Sequence, residues 1–227
     1  MEVFTQDEVN LHTHCKYCRH AVGEVIDYVE EAEKDGIKVL GMSDHCPVPD
    51  DRWHNVRMFY SELDSYQKDC ENAIGNAGDM HIFRGFETDY HKDYVSYYRD
   101  ELLDERGFDY LLLAVHNYYA GDGSDIMIPD CPVNDKGVLH TYTKTLIEGM
   151  QSGLFLYAVH PDIFAAFYLE WDDEAKACSR DILACAASLH FPIEINGQGI
   201  RAKKVVYSGG ERYRYPLQEF WNLASEY

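Results

Sequence analysis

The residues of this chain with the clearest chemical potential are histidines near the N-terminus. His12 and His14 lie one residue apart at the end of an apolar segment, and His20 follows six residues after His14. If the segment is a strand, side chains two residues apart point to the same side, so the first two imidazoles face one space. Imidazole is the commonest metal ligand among side chains. Taken alone, the segment fits either a metal site or a histidine-rich polar loop.

The elements that must position these histidines follow from the hydrophobic pattern. Apolar runs of strand length alternate with amphipathic stretches of helical period, which is typical of α/β architecture. We expect strands that end near residues 11, 43, 86, 115, 159 and 196, and helices over residues 22–32, 59–73, 94–105, 139–151, 173–188 and from 216 onward. Their near-continuous apolar character predicts a parallel sheet covered on both faces. Residues 117–134, rich in Gly, Asp and Pro, are expected to form a long loop that faces the substrate or acts as a lid.

Residues able to bind a metal recur at the carboxyl ends of the predicted strands. Six of them share this position: His12, His14, His45, Glu87, His116 and His160. Chance does not readily produce such a recurrence, and in a (β/α) barrel these ends converge on the face that holds the active site. An open sheet would spread them along a crevice instead. The pattern therefore favours a barrel with a metal centre, in which imidazole and carboxylate ligands suit Zn, Mn or Fe.

Aspartates and cysteines accompany these positions. Asp44, Asp89 and Asp162 lie next to predicted ligands, where they either orient imidazoles by hydrogen bonds or cap loops. Cys15 and Cys18 have a spacing known from redox and zinc sites, but no second pair accompanies them. Seven irregularly spaced cysteines indicate reduced thiols rather than a disulfide framework.

Length and charge limit the class of protein. A chain of 227 residues fits one α/β domain, and its net charge of −20 argues against nucleic acid as a partner. A small phosphorylated substrate remains compatible, because bound divalent cations reverse the field inside a pocket. No apolar run is long enough to cross a membrane, and the N-terminus lacks the features of a signal peptide, so we expect a cytoplasmic protein. The oligomeric state is left open.

Five motifs in order resemble those of the polymerase-and-histidinol-phosphatase (PHP) family of metal-dependent phosphoesterases. They are His12-Thr13-His14 with His20, Ser43-Asp44-His45, Gly85-Phe86-Glu87, Ala114-Val115-His116 and Val159-His160-Pro161. The resemblance runs from His12 to the end of the chain. Residues 86–90 and 194–201, followed by Tyr215-Pro216, narrow it to members that hydrolyse histidinol phosphate to histidinol and phosphate.

This resemblance implies a distorted (β/α)7 TIM-like barrel that binds two to three divalent metal ions (Zn, Mn or Fe). It implies three ligand groups: His12, His14 and Glu87 for one ion; Glu87, His116 and His160 for a second; His20 and His45 for a third. Arg201 is expected to contact the substrate phosphate. Glu87, His116 and Arg201 are the predicted catalytic residues, in a reaction where a metal-activated water attacks phosphorus.

One departure from the family pattern concerns the end of the chain. Family members carry an Asp-x-His motif on a seventh strand, and no such motif follows His160. With six predicted strands, we expect residues 1–227 to be a single barrel domain that is incomplete at its C-terminus. Two alternatives stay open: a PHP phosphoesterase acting on nucleotides or other small phosphoesters, and a non-catalytic metal-binding protein that has lost the motif.

Overall fold

The main sheet of this protein is formed by four strands joined by helices. The structure is a computed structural model that describes residues 3–119 and 125–227. The strands are β1 (Val9–Asn10), β2 (Val39–Met42), β3 (His81–Asp89) and β4 (Tyr110–Ala114). The sheet order is β1-β2-β3-β4, and the β1–β2 and β2–β3 pairings are parallel. The predicted α/β class is confirmed, and parallel pairing brings the carboxyl ends of β1, β2 and β3 to one edge.

Helices occupy the stretches predicted from their period, and one short helix, at Gln198–Arg201, forms in a stretch for which no helix was predicted. They are α1 (Val25–Lys34), α2 (Leu63–Gly75), α3 (Lys136–Gln151), α4 (Asp173–Leu189), α5 (Gln198–Arg201) and α6 (Gln218–Ala224). The carboxylates of Asp135 and Asp172 cap the first turns of α3 and α4 by accepting backbone N–H hydrogen bonds. The stretch predicted as a helix over 94–105 forms a π-helix at Tyr97–Glu105. None of the helices in the described ranges is long and apolar enough to span a bilayer.

The residues group into two compact units. Unit 1 comprises the chain up to Thr88 together with Asp93–Leu112, and unit 2 comprises Asp89–Lys92 together with Leu113–Tyr227. In unit 1 the rings of Tyr66 and Phe86 contact each other in the core. In unit 2, α3 packs on α4, and α4 on α6. The single barrel domain stays a prediction.

The fifth and sixth predicted strands are shorter than expected. Ala158 pairs with Leu113 on one side and with Ile193 on the other as isolated parallel bridges, and no longer ladder forms around them within the described residues. On the Leu113 side, the Leu113 N–H donates to the Tyr157 carbonyl and the Val159 N–H to the Leu113 carbonyl. On the Ile193 side, the Ala158 N–H donates to the Pro192 carbonyl and the Glu194 N–H to the Ala158 carbonyl. Pro192 has no N–H of its own, which limits the ladder at this point.

The expected long loop over 117–134 contains regular structure. Strand β5 (Asn117–Tyr119) pairs antiparallel with β6 (Asp125–Met127), and a 3-10 turn follows at Ile128–Asp130. Residues 120–124, which belong to the predicted substrate-facing loop, lie outside the described residues. A second antiparallel pair, β7 (Val205–Tyr207) with β8 (Gly210–Arg212), follows α5.

Candidate metal centre

In unit 1, three imidazole nitrogens converge on one carboxylate oxygen. Glu87 is 1% exposed. Its Oε2 atom lies 3.5 Å from His12 Nε2, 3.2 Å from His14 Nε2 and 3.1 Å from His45 Nδ1. The Nε2 atoms of His12 and His14 are themselves 3.1 Å apart. The structure thus brings together four predicted ligands from three separate motifs.

Strand ends produce this convergence. His12 and His14 follow β1, His45 follows β2, and Glu87 is part of β3. The residue between the two histidines, Thr13, is tied to the neighbouring strand, because its hydroxyl donates to the Gly41 carbonyl at 2.7 Å. With Thr13 turned toward β2, its two neighbours point away from that contact and toward Glu87.

The spacing of these atoms fits a common metal ion. Two ligand atoms about 2.1 Å from one ion lie about 3.0 Å apart at a right angle and about 3.4 Å apart at a tetrahedral angle. The three separations among His12, His14 and Glu87 are 3.1, 3.2 and 3.5 Å. Imidazole nitrogens with a buried carboxylate form the kind of donor set that Zn, Mn and Fe accept. These residues therefore fit the metal group that the family resemblance implies.

Asp44 lies behind the histidines. The carboxylate is fully buried and accepts a hydrogen bond from His14 Nδ1 at 3.4 Å, so the His14 Nε2 atom is left to face Glu87. Burial lowers the pKa of His14, but hydrogen bonds to Asp44, Cys18 and Glu87 outweigh it, and the pKa lies well above its usual value. The structure shows both roles expected for Asp44, because its carboxylate contacts an imidazole and also accepts hydrogen bonds from the backbone N–H groups of Cys15 and Cys18 in the loop.

His20 joins the same cluster from the loop that follows His14. Its ring centroid lies 5.1 Å from that of His45 and 5.7 Å from that of His14. The Nδ1 atom of His20 is 3.5 Å from the Cys18 sulfur. Burial raises the pKa of the Cys18 thiol, but hydrogen bonds with His14 and His20 outweigh that effect and bring the pKa down to about 7. Sequence reasoning assigned Cys18 no part in the site, although its position two residues before His20 was a signal.

Unit 2 holds the other two predicted histidine ligands. The ring centroids of His116 and His160 are 4.9 Å apart. Asp89 holds His116 twice, since its carboxylate accepts from the backbone N–H at 2.5 Å and from Nδ1 at 3.1 Å. The backbone N–H of His160 donates to Glu194, a residue absent from the predicted ligands. Asp162, by contrast, accepts hydrogen bonds from the chain around α6.

The backbone at His160 is strained. This residue is 5% exposed and has a φ of +32°, a conformation that side-chain-bearing residues seldom adopt. The following residue is Pro161, which further restricts the residue before it. Strain of this kind is concentrated at functional sites, where the surrounding structure enforces it.

Arg201 belongs to unit 2. It is exposed at the end of α5, and its Nη1 atom donates to Gln198 Oε1 at 2.9 Å. Its contact with phosphate stays a prediction.

Comparison with protein-family models shows where the chain belongs. The model of the PHP domain matches residues 10–198, which is most of the chain and includes both histidine clusters. This protein belongs to the PHP domain family.

Three similar proteins illustrate the relationship. A probable histidinol-phosphatase of Deinococcus radiodurans is 28% identical over 179 residues, which cover 76% of this chain and 68% of the relative. A candidate histidinol phosphatase of Listeria monocytogenes superimposes with a TM-score of 0.75 at 22% identity, over 96% of this chain and 90% of its own. Histidinol phosphate phosphatase of Lactococcus lactis, solved with zinc, L-histidinol and phosphate, gives 0.65 at 18% identity, over 84% and 73%. The chain spans about two thirds of the length of its curated relatives.

Proposed function

We propose that this protein is a metal-dependent phosphomonoesterase that hydrolyses histidinol phosphate to histidinol and phosphate. The observation that carries the proposal is the convergence of His12, His14 and His45 nitrogens on the buried Glu87 oxygen, at separations that suit metal ligands. Membership of the PHP domain family and the names of its similar proteins support the reaction class. The proposed activity is that of the whole protein, folded as a distorted (β/α)7 barrel.

The proposed ligands fall into the groups that the family resemblance implies. His12, His14 and Glu87 would hold one divalent ion, Glu87 with His116 and His160 a second, and His20 with His45 a third. When bound, such ions lower the pKa of a coordinated water and act as Lewis acids toward phosphate oxygens.

The chain's own residues prepare this chemistry by fixing their rings. Asp89 accepts the Nδ1–H of His116, so Nε2 carries the lone pair available to an ion. Asp44 does the same for His14. Arg201 is proposed to bind phosphate oxygens through its guanidinium, whose planar fork matches two oxygens at once. In the structure this fork contacts only a neutral amide among its described partners, so exchange for a phosphate would cost little.

The proposed substrate is small and anionic. With 40 acidic and 20 basic residues, the protein repels a phosphate dianion at long range, and cations in the pocket would reverse that field locally. The similar Lactococcus lactis protein was solved with L-histidinol and phosphate, which supports histidinol phosphate as the first substrate to test here.

Release of inorganic phosphate from histidinol phosphate tests the proposal. The purified protein is assayed after removal of metals and again after addition of Zn²⁺, Mn²⁺ or Fe²⁺, beside nucleoside monophosphates and short oligonucleotides. We expect metal-dependent hydrolysis with the highest kcat/KM for histidinol phosphate. His116→Ala should lower metal content and turnover together, whereas His54→Ala, at an exposed ring stacked on Phe59, should change neither.

Three results would contradict the proposal. Equal turnover by His116→Ala and the unsubstituted protein would show that the ion proposed to bind His116 takes no part in the reaction. Preference for a nucleotide would assign a different substrate within the family. A protein of the expected mass that binds metal but hydrolyses none of these compounds would be a non-catalytic metal-binding protein.

A further inference from the structure

The carboxylate of Asp44 collects an unusual number of hydrogen bonds for one buried group. Its Oδ2 atom accepts from the backbone N–H groups of Cys15 and Cys18 and from the Cys15 thiol, each at 3.1 Å. Its Oδ1 atom accepts from the His45 N–H at 2.8 Å and from His14 Nδ1 at 3.4 Å. The side chain is 0% exposed. All five donors belong to the segments that carry predicted ligands.

We propose that Asp44 is a positioning residue that locks the His14–His20 loop onto the end of β2 and presents His14 to the metal ion through Nε2. The proposal rests on the proposed role of His14 as a ligand. It gives the Cys15-x-x-Cys18 pair a purpose that its spacing alone did not suggest: both backbone N–H groups close the loop on Asp44. The thiols need not bind a metal or form a disulfide for this role.

The charge and symmetry of a carboxylate are essential to the arrangement. Both oxygens accept, so donors can approach from two sides at once. Charge-assisted hydrogen bonds of this kind are about twice as strong as neutral ones. An asparagine at position 44 would turn its amide NH2 toward donors on one side whichever way it faced. Either the His14 ring or the Cys15–Cys18 backbone would then lose its acceptor.

Two measurements on the full chain test this role without substrate. Co²⁺ titration followed by visible absorption gives the metal affinity of Asp44→Asn. NMR of ¹⁵N-histidine in the Zn²⁺-loaded, unsubstituted protein gives the tautomer of His14, assigned by comparison with His14→Gln. The matched control is Asp69→Asn, because Asp69 also accepts a hydrogen bond from this loop, from the Tyr17 hydroxyl at 2.9 Å, and its described partners are not histidines.

We expect Asp44→Asn to lose about 10- to 100-fold in Co²⁺ affinity, the usual effect of removing such a support, and Asp69→Asn to bind as the unsubstituted protein does. We also expect the proton of His14 to reside on Nδ1 in the Zn²⁺-loaded protein. Unchanged affinity in Asp44→Asn, or a proton on Nε2, would overturn the proposal. The tautomer decides alone if Asp44→Asn does not fold. A protein that binds Co²⁺ as expected but releases no phosphate would refute the phosphatase and leave the role of Asp44 standing.

Discussion

The hydroxyl of Tyr66 links the edge of the sheet that carries the candidate metal ligands to the core of unit 1, and the effect of removing it can be predicted quantitatively. This hydroxyl donates to the Gly85 carbonyl at 3.1 Å and accepts from the Asp44 N–H at 3.3 Å. The side chain is fully buried, and burial raises its pKa well above the usual value, so the hydroxyl stays neutral and its effect does not vary with pH near neutrality. Tyr66→Phe keeps the ring and leaves both backbone groups without this partner.

The expected cost follows from that geometry. A buried polar group deprived of its hydrogen bond costs about 1–3 kcal/mol, and the change in volume is only one oxygen atom, so we expect Tyr66→Phe to lower the free energy of unfolding by about that amount. Urea unfolding measures it. The control is Tyr28→Phe. The hydroxyl of Tyr28 donates to the Val22 carbonyl at 2.9 Å in an exposed hydrogen bond, and a surface substitution of this kind costs about 0.5 kcal/mol or less. Equal stability of the two variants would refute the reasoning.

Three further predictions concern packing and protonation. Gly85→Ala places a Cβ 2.6 Å from the Tyr110 carbonyl oxygen and should lower the free energy of unfolding, measured in urea, by about 1–3 kcal/mol. Gly75→Ala, with no atom within 4 Å of the new Cβ, should leave it unchanged. Zn²⁺ affinity, measured against a chelator, should rise about tenfold per pH unit up to the raised pKa of His14, because a proton must leave before the ring binds an ion. Burial raises the pKa of Asp162 to about 6, so the folded state binds its proton more tightly than the unfolded state does. The free energy of unfolding should therefore fall by up to about 3 kcal/mol from about pH 4 to about pH 6, and urea unfolding of Asp162→Asn should lack this contribution.

The positions of the candidate ligands could be predicted because they depend on topology. His14 and Glu87 are far apart in the chain, yet both follow from the rule that parallel strands end at one edge of a sheet. The hydrophobic runs locate β2, β3 and β4 to within a few residues. His45, at the end of β2, then had to lie between them. For these residues, the hydrophobic period of the sequence is nearly sufficient to predict their positions at the strand ends.

The remaining features of the site depend on loop conformation, which leaves no periodic pattern in the sequence. The contact between Cys18 and His20 depends on Arg19, whose φ of +64° turns the chain between them. A sequence gives little sign that an arginine will adopt this left-handed conformation, which is more typical of Gly and Asn. The short pairing of the fifth and sixth predicted strands has a different origin. The apolar run at 155–159 predicts a strand, but its ladder is limited at Pro192, which has no N–H to donate.

The hydrogen bonds that hold the candidate ligands show why the motifs of this chain contain acids beside histidines. Asp44 follows β2 but holds His14, which follows β1. Asp89 ends β3 but holds His116, which follows β4. In both cases the acid and the imidazole that it orients are on neighbouring strands of the sheet. A change at one motif is therefore felt at the candidate ligand of a neighbouring strand, and substitution of an acid should alter metal affinity through a histidine that is distant in sequence.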